Sequence, residues 1–529
     1  MCGIFAYYGK DYELQDIQQQ ITSIRYRGPD STSYSMPDRD LLMAFHRLSI
    51  VGIGNGNQPL RHPADENLSL ICNGEIYNYK ELISKFGFEP ATDSDCEVIL
   101  HLYQKFGIAE TVTMLDGVFA FVLYDENTKT LYSARDTYGV RPSFIGYRGD
   151  DIIIASEAKA VAPLCSKVLP FPPATWWSSA EPNAFISYKN TLFRRPVEAS
   201  EQEICNTINT LLTEAVDKRM MSEREIGCLL SGGLDSSLIA ALVSRNITDG
   251  KLKTFSIGMP GSIDVEYARK VAKHIDSDHH EVVISPEEFI DAIETVIYHT
   301  ESYDTTTVRA SVGNYLVSKY IRENTDCKVV FNGDGSDEVC MGYVYNQNAP
   351  SEREFYEENN RLLDEIYLYD VLRSDRSISS NGLEPRTPFL DKKFVDFYMR
   401  IPPHLKMFDG KDRIEKYLLR KAFAEDNLLP EDVLWRAKCA FSDGVSNINN
   451  SWHKIIQKYV DSKVTDEEFH VHKLKIKHCP PVLKESYYYR KMFNNMFQPS
   501  MAHLIPRFWM PRWTNTKDPS ARELSNYKE

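Results

Sequence analysis

A short apolar run that stops at a glycine- and serine-rich loop and resumes as an apolar helix leaves few folds open. Residues Gly227-Cys228-Leu229-Leu230 read as a strand, and Ser231-Gly232-Gly233-Leu234-Asp235-Ser236-Ser237 follow as the loop, with a helix predicted over 236–244. Glycines let backbone N–H groups approach an anion, and a helix N-terminus adds its free amides and dipole. The chain has no G-x-x-x-x-G-K-[ST] sequence, so this is not a Walker A loop. Further strands are expected over 254–258, 281–284 and 328–331. Ser285 opens a helix between them, with Pro286 at its first position, Glu288 closing a capping box, and an apolar face of Phe289, Ile290, Ile293, Val296 and Ile297. Repeated βα units predict a parallel sheet with helices on both faces and ligands at the carboxyl ends of its strands.

One such end follows Val329-Val330-Phe331. The next residues, Asn332-Gly333-Asp334-Gly335-Ser336-Asp337-Glu338, are acidic and flexible. Carboxylates beside a phosphate loop suit Mg²⁺, which takes a few carboxylates plus phosphate oxygens, so Asp235 and Asp337 are candidate ligands. An Asp- and Gly-rich turn is the plainer alternative. Beyond about residue 352 the pattern is mainly helical, rich in tyrosine and without evident chemistry of its own.

The first 190 or so residues are organised differently. Strands are expected over 1–8, 41–51, 68–72, 118–124, 131–135 and 152–156, separated by Gly, Asn and Asp turns, with a helix over 96–106. This is an α+β pattern. The change to a helical period comes near 195–201, where Pro196 precedes Glu201, Ile204, Ile208, Leu211, Leu212 and Ala215. The expected domains are therefore 1–196 and 197–529. A chain of 529 residues is too long for one ordinary core in any case.

Cys2 stands behind the initiator methionine. Removal of Met1 would leave it with a free α-amino group, whose ordinary pKa of roughly 7.7–8 suits a general base for the thiol. Nucleophile and base would then share one residue. Alone, a second-position cysteine is as readily a small residue opening a strand. Its company is Arg25-Tyr26-Arg27-Gly28-Pro29-Asp30, His46-Arg47-Leu48-Ser49-Ile50-Val51, Asn73-Gly74-Glu75-Ile76-Tyr77-Asn78 and Asp93-Ser94-Asp95-Cys96-Glu97.

Bulk properties exclude several classes. The formal net charge of −14 argues against binding nucleic acid or an anionic membrane. Ten cysteines without a CxxC spacing argue against a zinc ribbon or redox centre and suit free thiols in a reducing compartment. With no signal-peptide pattern and no long apolar stretch, a cytoplasmic protein is expected.

The first 190 residues resemble the class II glutamine amidotransferases, an N-terminal-nucleophile (Ntn) αββα fold. The resemblance implies that Cys2 attacks the side-chain amide of glutamine and that Asn73 and the Gly74 amide form the oxyanion hole. It also implies glutamine contacts from Arg47, Leu48, Ser49, Ile50, Val51, Glu75 and Asp95, with Arg47 on the α-carboxylate and Glu75 and Asp95 on the α-ammonium. The SGGLDSS loop resembles that of the ATP pyrophosphatases, an α/β parallel-sheet, adenine nucleotide α-hydrolase-like fold, which cleave ATP to AMP and pyrophosphate. In this order the two halves resemble the glutamine-hydrolysing asparagine synthetases. Further support comes from Glu301-Ser302-Tyr303-Asp304-Thr305-Thr306-Thr307-Val308-Arg309-Ala310-Ser311, Glu384-Pro385-Arg386-Thr387-Pro388-Phe389-Leu390-Asp391 and Phe441-Ser442-Asp443-Gly444-Val445.

The implied ATP contacts are Leu229, Ser231, Gly232, Gly233, Asp235, Ser236, Ile257, Asn332 and Gly333. Thr306, Thr307, Arg309 and Lys416 are implied for aspartate or phosphate. The implied substrates are glutamine, aspartate and ATP with Mg²⁺, and the implied assembly is a homodimer through the first domain. Two loop positions depart from the family pattern: Asn332 replaces a usual serine, and Asp334 a usual glutamate thought to help form the intermediate or to accept ammonia's proton. A carboxylate one methylene shorter, displaced near 1 Å, costs on the order of 10²-fold in rate unless the backbone compensates. Three alternatives are a β-lactam-synthetase-like enzyme, disfavoured by the intact glutaminase motifs; a phosphoribosyl or sugar amidotransferase, excluded by SGGLDSS; and a non-catalytic sensor, supported only by Asp334.

Overall fold

The computed structural model describes residues 1–10, 14–189, 195–447 and 450–524. Its first half stacks two six-stranded sheets. One runs Lys167–Pro170, Phe144–Arg148, Asp151–Ala155, Gly3–Tyr8, Leu41–Arg47, Ser31–Asp38; the other runs Phe185–Ser187, Thr175–Ser178, Thr130–Arg135, Gly117–Asp125, Asp65–Ile76, Leu60–His62. Side chains alternate across a strand, so Gly3–Tyr8 is buried on both sides. Ile4 and Ala6 face the second sheet, meeting Ile71, Ala120 and Val122, while Phe5 and Tyr7 face Ile17 and Ile21 of the helix Leu14–Thr22. On the far side the helix Val98–Met114 packs Ile99 and Leu102 against Leu70, Cys72 and Phe121. The order is helix, sheet, sheet, helix, as the αββα expectation requires.

The strands expected from the sequence are present with shifted ends. Not expected were the eight-residue edge strand Ser31–Asp38 and the five-residue interior strand Phe144–Arg148, besides shorter pieces such as Phe185–Ser187 and Lys167–Pro170 at sheet edges. Segments that short carry no readable alternation.

The second half begins with the helix Glu201–Asp217, whose N-cap Ser200 forms a capping box with Glu203. Its sheet is parallel and five-stranded, in the order Asp278–Val283, Lys253–Gly258, Ile226–Leu229, Val329–Phe331, Glu384–Arg386. The first strand lies in the middle and the chain winds out to both sides. The crevice beyond its carboxyl end is therefore the switch point where such sheets bind ligands. The expected capping box at Ser285 forms, with Pro286 at the first position. The apolar face behind it is split between two helices, Pro286–Asp291 and Ile293–Thr300. Glu384–Arg386 adds one short edge strand to the mainly helical region beyond 352. Pro385 reads against a strand, but at a sheet edge its missing N–H costs little. No helix among the described residues is long and apolar enough to cross a membrane.

Candidate active sites

The pairing of Gly3 with His46 sets Cys2 beside the residues that follow Leu41–Arg47. The Cys2 thiol lies 3.6 Å from the Leu48 carbonyl, and the Cys2 N–H donates to Asn73 Oδ1 at 3.0 Å. Asn73 is fully buried on the Asp65–Ile76 strand, and its Nδ2 has no acceptor. A buried amide donor without a partner is costly, and here it belongs to the side chain that accepts the Cys2 N–H.

Arg47 spans the following loop, donating to the Gly52 carbonyl at 2.5 Å, Ile53 at 3.3 Å and Asn57 Oδ1 at 2.6 Å. Asp95 accepts the Ile76 N–H at 2.6 Å. Glu75 keeps one buried oxygen without a hydrogen bond, with Arg386 3.8 Å away. Burial raises both acids, Asp95 to about 7, and the nearby Glu384 raises them further. Met1 is buried over this site. Desolvation lowers its amine to about 6 and pushes the Cys2 thiol up to about 11.

The second site is a cavity of about 190 Å³ at the switch point. It is lined by Leu229, Ser231, Gly233, Asp235, Ser236 and Ile257, by Thr306, by Asn332, Gly333, Asp334 and Asp337, and by Lys416. Gly232 shapes the loop from outside. Its φ is +71°, and a Cβ there would stand 2.4 Å from the Ala268 nitrogen. At Gly333 a Cβ would stand 2.7 Å from Asp235 Cβ, so glycine lets the two loops meet. The Ser236 hydroxyl accepts the Ser231 N–H at 3.1 Å.

The charges here are cross-linked. Lys416 Nζ lies 2.6 Å from both Asp235 and Asp337, and Lys438 Nζ lies 2.5 Å from Asp337 and 3.7 Å from Asp235. Lys416 reaches this place from a left-handed backbone, φ +58°, which costs a non-glycine residue roughly 1–2 kcal/mol. Desolvation opposes the charge on Asp337, but the two lysines outweigh it and hold the carboxyl well below its usual range. Asp334 is pushed up by burial, with Arg373 and Ser374 opposing.

Two of the residues expected here face elsewhere. The Thr307 hydroxyl and amide both donate to Asp304 at 2.8 Å, and Thr307 does not line the cavity. Arg309, 3% exposed, is held by Glu485 at 2.6 and 2.8 Å and by Asp518 of the C-terminal tail at 2.7 and 2.9 Å. Thr306 does face the cavity, with a buried hydroxyl that has no partner. Lys438, Arg373 and Arg436 were not expected. Arg436 and Lys438 lie two apart in a loop and Arg373 lies on a helix, and only the fold brings them to the cavity.

The two sites are mechanically joined. Arg27 donates to the Cys2 carbonyl at 3.1 Å and to Asp375 at 3.0 and 3.2 Å, and Asp375 lies on the helix Asp370–Ser379 that also carries Arg373 and Ser374. Leu48, Ile50, Val118 and Val140 also belong to one apolar cluster with Leu230 and Leu234.

A double-sheet domain headed by a cysteine, and a parallel sheet with an SGGLDSS loop at its switch point, together define an amidotransferase joined to a nucleotide-dependent synthetase. The glutamine amidotransferase domain family matches residues 1–193, and the asparagine synthase family matches 207–363 and 346–514. The chain is 45% identical to a glutamine-hydrolyzing asparagine synthetase of Gallus gallus and 44% identical to those of Bos taurus and Homo sapiens. Each match covers 100% of this chain and 99% of the relative. The chain belongs to the glutamine-hydrolyzing asparagine synthetase family.

Proposed function

We propose that the two sites divide glutamine-dependent asparagine synthesis between them: ATP, L-aspartate, L-glutamine and water give AMP, diphosphate, L-asparagine and L-glutamate. The observation that carries this reading is the presence of both reactive centres in one chain, joined through Arg27 and Asp375.

At the first site, loss of Met1 frees the Cys2 amine to take the thiol's proton, and the thiolate attacks the glutamine amide. The unpartnered Asn73 Nδ2, with the Gly74 N–H, meets the oxyanion that develops. Arg47 pairs with the α-carboxylate of glutamine, while Glu75 and Asp95 hold its α-ammonium. Leu48, Ser49, Ile50 and Val51 shape the pocket wall. Ammonia leaves, and water later releases glutamate.

At the second site, aspartate's β-carboxylate attacks the α-phosphorus of ATP, forming β-aspartyl-AMP and expelling pyrophosphate. Leu229, Ile257, Asn332 and Gly333 border the nucleotide. Ser231, Gly232, Gly233 and Ser236 cradle pyrophosphate, and Thr306 offers its free hydroxyl. Lys416 and Lys438 turn from the carboxylates to the phosphates.

Asp235 and Asp337 fit Mg²⁺, because this pair of carboxylates already converges on one cation, the Lys416 ammonium. Among the described residues no three-ligand cluster exists, so phosphate oxygens and water would complete the coordination. When bound, the ion would neutralise phosphate charge. Ammonia, shielded from water by the apolar cluster around Leu48 and Leu230, attacks the activated carbonyl, the acyl–phosphate C–O bond breaks to release AMP, and Asp334 takes the proton from the attacking nitrogen.

The test supplies purified protein with glutamine, aspartate and MgATP. Equal amounts of asparagine and AMP are expected. Glutamate without either product would sink the synthetase reading.

A further inference from the structure

Asn332 and Asp334 on the wall of the ATP cavity, with Ser374 behind them, form a polar frame held at Asn332. Asn332, 3% exposed, follows the Val329–Phe331 strand. Its Oδ1 accepts the Asp334 N–H at 3.2 Å, and its Nδ2 donates to the Ser374 hydroxyl at 2.9 Å. Ser374 is also among the groups that hold the Asp334 carboxyl down against the upward push of burial, which sets its hydroxyl close to that carboxylate. A hydroxyl has one hydrogen. With the Asn332 amide donating to the Ser374 oxygen, that hydrogen is left for Asp334, so the amide sets the direction of the hydroxyl.

Arg373 is a weaker hold. It stands 3.4 Å from Asp334 but 2.6 Å from Asp370, which claims the same guanidinium nitrogen. Asp334 therefore depends on Ser374 for the aim of its carboxylate, and Ser374 depends on Asn332. A side chain too short to bond the Asp334 N–H and the Ser374 hydroxyl together cannot serve in place of asparagine.

We propose that Asn332 is a positioning residue that acts through Ser374 to aim the Asp334 carboxylate into the cavity, rather than a residue whose side chain serves ATP. This rests on Asp334 taking the proton from ammonia, as proposed above. A carboxylate displaced near 1 Å loses on the order of 10²-fold in rate, and the frame is what prevents that displacement for so short a side chain.

The test follows ammonium-dependent asparagine and AMP formation in full-length protein. Asn332→Ser should lower kcat at least about tenfold and leave KM for ATP within about twofold. Ser374→Ala should do the same, the double variant should lose no more than either single one, and Ser374→Thr, which keeps the hydroxyl, should retain activity. In an Asp334→Glu background, whose longer carboxylate reaches further unaided, Asn332→Ser should cost little.

Glutamine hydrolysis at Cys2 reports the fold of each variant, and Ser374→Ala carries the test should Asn332→Ser fail to fold. A raised KM for ATP at unchanged kcat, or losses that multiply in the double variant, would overturn the proposal. So would unaltered kcat in both single variants of an active enzyme. A wild type that forms no AMP overturns the proposed chemistry first and this inference with it.

Discussion

The two sites handle charge in opposite ways. Around Cys2, polar groups are buried and left short of partners: Asn73 Nδ2 and a Glu75 oxygen have none, and burial lifts Glu75 and Asp95 toward neutrality. Around SGGLDSS the charges are mutually satisfied, with Lys416 and Lys438 on Asp235 and Asp337. The first site is preformed, and its unpaired amide donor and carboxylate acceptor await a ligand that supplies their partners. The second must break ion pairs to admit ATP, so part of its binding energy goes into reorganisation. A preformed site tolerates little change in its reacting groups, whereas an ion-paired one responds to any change in the cations that lock it.

The sharpest way to separate the sites is Cys2→Ala. Removing the nucleophile should abolish glutamine-dependent asparagine synthesis, by more than about 10³-fold, while synthesis from ammonium stays within about twofold of wild type. A parallel loss with ammonium would mean the halves do not work independently. Next in size is Lys416→Met, which leaves Asp235 and Asp337 with Lys438 alone. Asparagine formation should fall about 10²-fold with glutamine hydrolysis intact, measured by glutamate release. An unchanged rate would show that Lys416 only neutralises carboxylates.

Arg309 tests the same contrast through stability. It is buried with Glu485 and Asp518, so Arg309→Met strands Glu485 without its main partner. Breaking one side of such a pair costs about 3–5 kcal/mol, and the melting temperature should drop by several degrees. KM for aspartate in the surviving folded protein should not change. A selective rise in that KM at normal stability would return Arg309 to the substrate.

How much of this was legible in the sequence follows from the range of the interactions. The SGGLDSS loop is a local arrangement, in which strand, loop and helix start lie within a few residues, so pattern alone places it at the switch point; Cys2 and Asn73-Gly74 are far apart in sequence and were singled out by the resemblance. The Ser285 capping box is local in the same way as that loop. Lys438 and Arg373 are not. No local pattern marks either: Lys438 reaches the cavity 101 residues after Asp337, and Arg373 reaches it from the helix Asp370–Ser379. Arg309 misleads for the complementary reason. Thr306 and Arg309 are three apart on one helix, which reads as a shared face, yet the Arg309 side chain is taken by Glu485 and by a tail more than 200 residues later, and no local pattern announces that tail. Glu384–Arg386 was hidden by Pro385, whose cost vanishes only at a sheet edge.

The smallest expected effect bears most directly on the electrostatic contrast. Burial raises Asp95 from the ordinary 3.8 to about 7. The native state therefore binds a proton that the unfolded chain has lost, so this group's contribution to stability falls as pH rises from about 4 to about 7 and is constant above. Glutamine's α-ammonium demands the opposite state, an ionised Asp95. Below pH 7 binding must first remove the proton, and KM for glutamine should rise by up to about tenfold per pH unit. Above 7 it should level off. Asp337, held low by Lys416 and Lys438, stays ionised across this range, so KM for ATP should carry no matching slope. Asp95→Asn should flatten the glutamine profile and raise KM at pH 8. If KM for glutamine in the wild type is flat from pH 5.5 to 8, Asp95 does not hold the ammonium, and Glu75 alone would have to.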